Sequence, residues 1–316
     1  MTREVYRKLP EQEESLPFFL QPWWLDVSCG PDNWDAVTIE NGGVIQAALP
    51  YLRKSKLGVR VISQPTLTQF LGPWIRDTGG KSTTVLARQK DLMSELVEGL
   101  PEYDYYSQNW SPEITNWLPF YWKGFTQTTR YTYVLRNLQD TNALWDNIAP
   151  KIRTDIRKAA NRYQLHLNPN PSLDQFLDIN EMTFNRQGKK PPYSREFIQK
   201  LDAECHQRNC RRILIAEDDS SRSHAAVYVV WDKRTAYYLM GGGNPELRSS
   251  GATSLCLWEA IQHASGIVDN FDFEGSMMEP VERFVRAFGA IQTPLFNVQR
   301  SNSTVGRLAS FMKKVA

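Results

Sequence analysis

From Ala252 onward the chain keeps a helical period. Leu257, Ile261 and Ala264 recur at i, i+4 and i+7 with Trp258 beside them, and Glu259, Gln262 and His263 take the opposite side. Before this helix, "TAYYLM" (235–240) reads as a strand, because Tyr237, Tyr238 and Leu239 suit a pleated, half-buried surface. Gly241, Gly242 and Gly243 are expected to break that strand. The unit is strand, glycine-rich loop, helix, with "NPELRSSGAT" (244–253) at the helix mouth. Elsewhere, residues 34–54 read as a hairpin about Asn41-Gly42, and "TTRYTYVLRNL" (128–138) as the last strand of the first half. Two helices are expected at 172–187 and 194–208, followed by strands "RRILIAE" and "HAAVYVVW". The polar stretch 137–150 ends in Pro150 and marks a domain junction, giving domains 1–136 and 137–316.

The chain also repeats itself. "YDYYSQNWSP" (103–112) and "FDFEGSMMEP" (271–280) both begin aromatic-Asp-aromatic and both reach Pro at the tenth position. Farther on, "GFTQT" (124–128) matches "GAIQT" (289–293) at Gly, Gln and Thr. Each copy reads strand, Pro-started helix, Gly stop, strand. Two matches in one order imply a tandem duplication of an α/β unit.

A helix start presents unpaired N–H groups and the positive end of the macrodipole, which suits a phosphate. Arg248 adds a fixed charge there, and Ser249, Ser250 and Thr253 add hydroxyls. A capped helix start without a ligand is the alternative. Two familiar phosphate loops are excluded: no Lys follows Gly251, and Glu246 interrupts G-x-G-x-x-G. The first half offers a counterpart, Arg76-x-x-Gly79 in "RDTGGK", but it carries Asp77 where the second half has Ser249. A carboxylate repels an anion, so the second half is expected to be the working copy.

"KIRTDIRKAANR" (151–162) concentrates Lys151, Arg153, Arg157, Lys158 and Arg162 around an apolar face of Ile152, Ile156, Ala159 and Tyr163. Such basic stems either snorkel over a core or hold a phosphate or carboxylate. Snorkelling is assigned to Lys151 and Arg162.

Composition narrows the classes. A chain of 316 residues can build two domains with a large core, and a net charge of +2 gives no global pull toward nucleic acid. The four cysteines show neither zinc spacing nor a disulfide ladder, and no metal is implied. No apolar run approaches membrane-span length and the N-terminus lacks an apolar signal core, so a cytoplasmic location is expected.

Three stretches, "KIRTDIRKAANRYQL", "LRSSGATSLCLWEAI" and "FDFEGSMMEPVERFVRAFGA", resemble the GNAT acyltransferase superfamily, more closely its tandem-GNAT, FemAB-like or BioF2-like branch. The resemblance covers much of residues 151–290 and implies two GNAT-like units, each a mixed, mostly antiparallel sheet flanked by helices, with the first a degenerate copy. The family's pyrophosphate loop reads [QR]-x-x-G-x-[GA]. Arg248 and Gly251 match, and Thr253 departs from it. Where GNAT enzymes often place a tyrosine acid, this chain has Ser276, Met277 and Met278.

The resemblance implies transfer of an acyl or aminoacyl group to an amine. Arg248, Ser249, Ser250, Gly251, Ala252 and Thr253 would hold the donor. Arg153, Arg157, Lys158 and Ser276 would hold an acceptor, either a small molecule or an envelope precursor. Glu274, at the end of the strand preceding the Pro-started helix, would take the amine proton. Tyr238 would hydrogen-bond the developing oxyanion. The bland roles are a Glu that caps the next helix or pairs with Arg283, and core tyrosines. Acyl-CoA is the expected co-substrate, with no tightly bound cofactor. Aminoacyl-tRNA is the less favoured donor, because a single short basic helix gives a small footprint. The alternative class is an inactive GNAT-like binding or scaffold protein of envelope or polysaccharide assembly, which Thr253 and the missing tyrosine favour.

Overall fold

The computed structural model describes residues 2–14, 16–56, 58–275 and 277–303. Two compact units are present, one made of residues 1–130 with 294–316, the other of residues 131–293. The chain thus changes unit twice, at 130/131 and 293/294.

The first unit opens with short helices α1 (Thr2–Tyr6), α2 (Leu9–Gln12) and α3 (Pro22–Cys29). Strands β1 (Trp34–Asn41) and β2 (Val44–Lys56) form the expected hairpin, with Gly42 and Gly43 both at positive φ in its tight turn. β3 (Val59–Ser63) follows, then β4 (Trp74–Ile75) beside β2, α4 (Ser82–Glu98), β5 (Tyr105–Asn109) and α5 (Leu118–Trp122). The sheet runs β1, β2, β3, β5, with β3 and β5 parallel and the other neighbours antiparallel. Its far strand comes from the end of the chain, where Asn297–Ser301 of β12 (Ile291–Ser301) pairs with β5.

The second unit receives β6 (Thr126–Arg136) from Tyr131 onward. It continues through α6 (Thr141–Asn147), α7 (Pro150–Arg157), β7 (His166–Leu167), α8 (Leu173–Arg186) and α9 (Arg195–Gln207). Then come β8 (Arg211–Glu217), β9 (Ser223–Trp231), β10 (Thr235–Gly243), α10 (Ala252–Ser265), β11 (Asn270–Asp272) and α11 (Glu279–Arg286). The sheet order is β6, β11, β10, β9, β8, β7, with β10 and β11 parallel and the other pairs antiparallel. Ile152, Ile156 and Ala159 bury against Leu255, Trp258 and Ile261 of α10, the two apolar faces expected from the sequence.

β5 and β11 hold equivalent places: each has a parallel neighbour on one side and an antiparallel one on the other. The strand expected to close the first half does not do so. Val134–Arg136 of β6 pair with β11, and β12 takes the matching place in the first unit. The three glycines do not break β10. Gly241, Gly242 and Gly243 stay paired with Val227, Ala226 and Ala225 of β9. Their purpose is close approach: a Cβ on Gly242 would lie 2.6 Å from the Ile179 carbonyl oxygen of α8.

Candidate active site

A groove of about 700 Å³ lies at the start of α10, within the second unit. Arg248–Ser250 form one 3-10 turn, and Gly251, at φ 84°, redirects the chain into the helix. Only glycine fits there, because a Cβ would sit 2.2 Å from the Asp155 carbonyl oxygen of α7. α7 is therefore packed backbone to backbone on the loop. Lys158 begins a wider π turn at its end and donates from Nζ to the Ser249 carbonyl at 2.5 Å. Arg248, Lys158, Lys151 and Arg283 line the groove, with Asp155 the acidic member. Lys151 is held to Asp155 at 3.2 Å and Arg283 to Glu279 at 2.5 Å, whereas Arg248 makes no ion pair among the described residues. Ile152, Pro280 and Phe284 supply an apolar wall. The arrangement joins helix N–H groups, an uncommitted guanidinium and lysine ammoniums, which is chemistry for an anion.

A second constellation lies where β10 and β11 separate. They pair only over Thr235–Tyr237 and Asn270–Asp272, so the rest of β10 has no parallel partner. Tyr238 stands at the first such position, beside a bulge in the β9 pairing. Its hydroxyl occupies the space left by the missing Cβ of Gly241. The β10 backbone is held by α8: Asn180 Nδ2 donates to the Gly241 carbonyl at 2.8 Å, and Thr183 Oγ1 accepts from the Gly243 N–H at 2.9 Å. Tyr193 donates its hydroxyl to Asn180 Oδ1 at 2.9 Å.

Glu274 follows β11 in the left-handed region, φ 56°. Burial, and then the Asp272 carboxylate, push its carboxyl well above the usual carboxylate range. Asp272 is itself buried, which raises its carboxyl to about 6 despite hydrogen bonds from Thr132 and the Glu274 N–H and the charge of Arg136. Burial raises the Tyr238 phenol, with added push from Cys256 in the first turns of α10, Tyr193 and Glu274.

Of the donor loop, Arg248, Ser249, Gly251 and Thr253 line the groove. Ser250 and Ala252 are buried instead, with Ser250 Oγ accepting from the Ala252 N–H at 3.4 Å as an internal helix cap. The acceptor set divides. Lys158 faces the groove, but Arg153 lies beside Asp146 and Arg157 lies over the Trp145 ring, both outside it. Rotation along α7 explains the split, since those two residues flank the other side of the buried Ile152–Ile156 face. Ser276 lies outside the described residues. Sequence reasoning missed Lys151, Arg283 and Asp272. Lys151 sits four residues before Asp155 on one helix face, a signal available in the sequence. Arg283 pairs with Glu279, four residues earlier on the same helix, a spacing also legible in the sequence.

The sequence profile of the acetyltransferase (GNAT) domain family matches residues 149–279, which lie in the second unit. Over nearly its whole length the chain shares the fold of FemX and of a tandem GNAT protein. FemX superposes with a TM-score of 0.69 at 11% identity, covering 94% of this chain and 96% of its own. L-PGS from Bacillus licheniformis gives 0.55 at 11%, over 98% and 96%. A tandem GNAT protein from the clavulanic acid biosynthesis pathway gives 0.53 at 11%, over 96% and 95%. No curated protein matches the sequence. Among the described residues, no helix is long and apolar enough to cross a membrane.

Proposed function

We propose that the protein is an N-acyltransferase that moves an acyl group from a phosphate-bearing donor, acyl-CoA, to an amine. The observation that carries this reading is the groove at α10, where Arg248 makes no ion pair among the described residues and stands beside a helix start within the stretch that matches the GNAT profile. The donor phosphates would rest on Arg248, the Ser249–Thr253 backbone and Lys158. The amine nitrogen would attack the thioester carbonyl carbon, forming the N–C bond. Glu274 would accept the nitrogen's proton, and its raised carboxyl is a stronger base than an exposed one. The Tyr238 phenol, kept protonated by burial, would donate to the oxyanion. Collapse would break the C–S bond, and the departing thiolate would take up the proton from Glu274.

The acceptor is an amine on a small molecule or an envelope precursor. The fold is shared with the C-terminal domain of a putative lysylphosphatidylglycerol synthetase, whose name specifies a lipid product, and this supports an envelope-precursor acceptor. The competing donor, aminoacyl-tRNA, would need many phosphate contacts, and its binding would weaken steeply with salt. The test is thiol release from acetyl-CoA in the presence of a panel of primary amines, run beside transfer from charged tRNA. Amine-dependent thiol release that Glu274→Gln abolishes is the expected result. Transfer from tRNA alone, with no acetyl-CoA turnover, contradicts the donor assignment.

A further inference from the structure

The chain leaves β11 by a route that requires a restraint. The Phe273 N–H still donates to the Tyr133 carbonyl at 3.0 Å, and then Glu274 and Gly275 both turn left-handed, at φ 56° and 44°. Gly275 is pressed so close to β6 that a Cβ would lie 2.2 Å from the Tyr131 carbonyl oxygen. A glutamate adopts this conformation only where its surroundings enforce it. The enforcing group is Asp272, whose Oδ1 accepts the Glu274 N–H at 2.7 Å. Thr132, on the neighbouring strand β6, donates its hydroxyl to the same oxygen. Both side chains are buried, Asp272 at 3% exposure and Thr132 at 0%.

A buried carboxylate is a costly way to hold a turn that an asparagine oxygen could hold as well. Here the extra charge faces Glu274. We infer that Asp272, oriented by Thr132, is a positioning residue for Glu274, fixing the turn that carries its carboxyl and holding a second carboxylate beside it. This deepens the proposed reading of Glu274 as the base and rests on it. The other groups facing the pair are Arg136 on β6, which acts on Asp272, and Tyr238 on β10, which acts with Glu274. Cys256 on α10 and Tyr193 enter through Tyr238.

The two contributions separate by substitution. Asp272→Asn keeps an acceptor for the Glu274 N–H and removes the charge. Asp272→Ser removes the charge and leaves only a shorter, weaker acceptor for the Glu274 N–H. With the full chain labelled at glutamate carboxyl carbons, Glu274 is identified as the signal lost in Glu274→Gln, and its titration is followed by NMR. In Asp272→Asn the Glu274 midpoint should fall toward the ordinary carboxylate range while its backbone amide signal stays. In Asp272→Ser the amides of Glu274 and Gly275 should move as well. Thr132→Val, nearly isosteric, covers the case in which a position 272 variant fails to fold: loss of the donated hydrogen bond should raise the Asp272 midpoint above about 6. An unmoved Glu274 midpoint in folded Asp272→Asn overturns the inference, as does an unmoved Asp272 midpoint in Thr132→Val. The base assignment fails by a different result, namely a Glu274→Gln variant that retains full acetyl transfer.

Discussion

The chain contains the pattern Arg-x-x-Gly before a helix twice, and the two copies are used differently. In the first unit Arg76 is consumed by the fold: Nε donates to the Ile45 carbonyl at 2.8 Å, a terminal nitrogen approaches Glu13 at 3.6 Å, and the group lies over Trp74. Asp77 Oδ1 accepts the Gly79 N–H at 2.9 Å, filling a donor that an anion would need. In the second unit Arg248 is exposed in a groove, and the position of Asp77 is held by Ser249. The same contrast appears at the paired strands. Asp104 accepts the Arg60 N–H at 2.8 Å and is held below its usual range, first by that hydrogen bond, whereas its counterpart Asp272 is buried and raised. In the sequence repeat, Glu274 aligns with Tyr106, a buried residue of β5. Arg76 and Asp77 are tied up within the first unit, whereas Arg248 and Ser249 are exposed at the groove of the second.

The largest expected effect lies at the glycines. Gly251→Ala should cost about 3–5 kcal/mol of stability, from the left-handed backbone and the collision with Asp155. Gly79→Ala has open space and should cost only about 1–2 kcal/mol. Denaturant unfolding compares them, and equal losses would break the contrast. Gly251→Asp is consequently no probe of the anion site alone, since it also strains the fold.

The two aspartates should give opposite pH slopes. The folded pKa of Asp272, about 6, lies above its ordinary value of 3.8, so its contribution is fully present below that value and is lost as pH rises through 6. Stability measured for Asp272→Asn relative to wild type should therefore rise between pH 4 and 7, by up to about 3 kcal/mol. Asp104 is depressed, so its contribution is present above the ordinary range and is lost as pH falls. Parallel slopes for Asp272→Asn and Asp104→Asn would remove the distinction between the strands.

Arg248→Ala should leave stability within about 0.5 kcal/mol, as for an exposed side chain, yet weaken acetyl-CoA binding by about tenfold or more. Arg157→Ala is the smallest effect: its guanidinium sits over Trp145, outside the groove, and donor affinity should stay within about twofold. Calorimetry measures both, and a large loss in Arg157→Ala would place the anion elsewhere on α7.

Much of this division was legible in the sequence. The helix period of 252–264, the buried face of Ile152 and Ile156 and the Asp77/Ser249 difference all follow from local pattern. The exchange of β6 and β12 was not, because a strand's pattern records that one face is buried but not which sheet it joins. The glycines of β10 were read as a turn, because close approach by α8 leaves no local mark. The split of Arg153 and Arg157 from Lys158 depends on how α7 seats on Gly251, a long-range contact.

The central claim is that the second loop holds the donor anion and the first does not. Exchanging their one telling difference tests it most directly: Ser249→Asp and Asp77→Ser, both at exposed positions, titrated with acetyl-CoA by calorimetry. Ser249→Asp should abolish measurable binding, because its carboxylate enters the groove beside Arg248 and Lys158, while Asp77→Ser should bind as wild type does. Undiminished binding in Ser249→Asp, or a change confined to Asp77→Ser, would contradict the account.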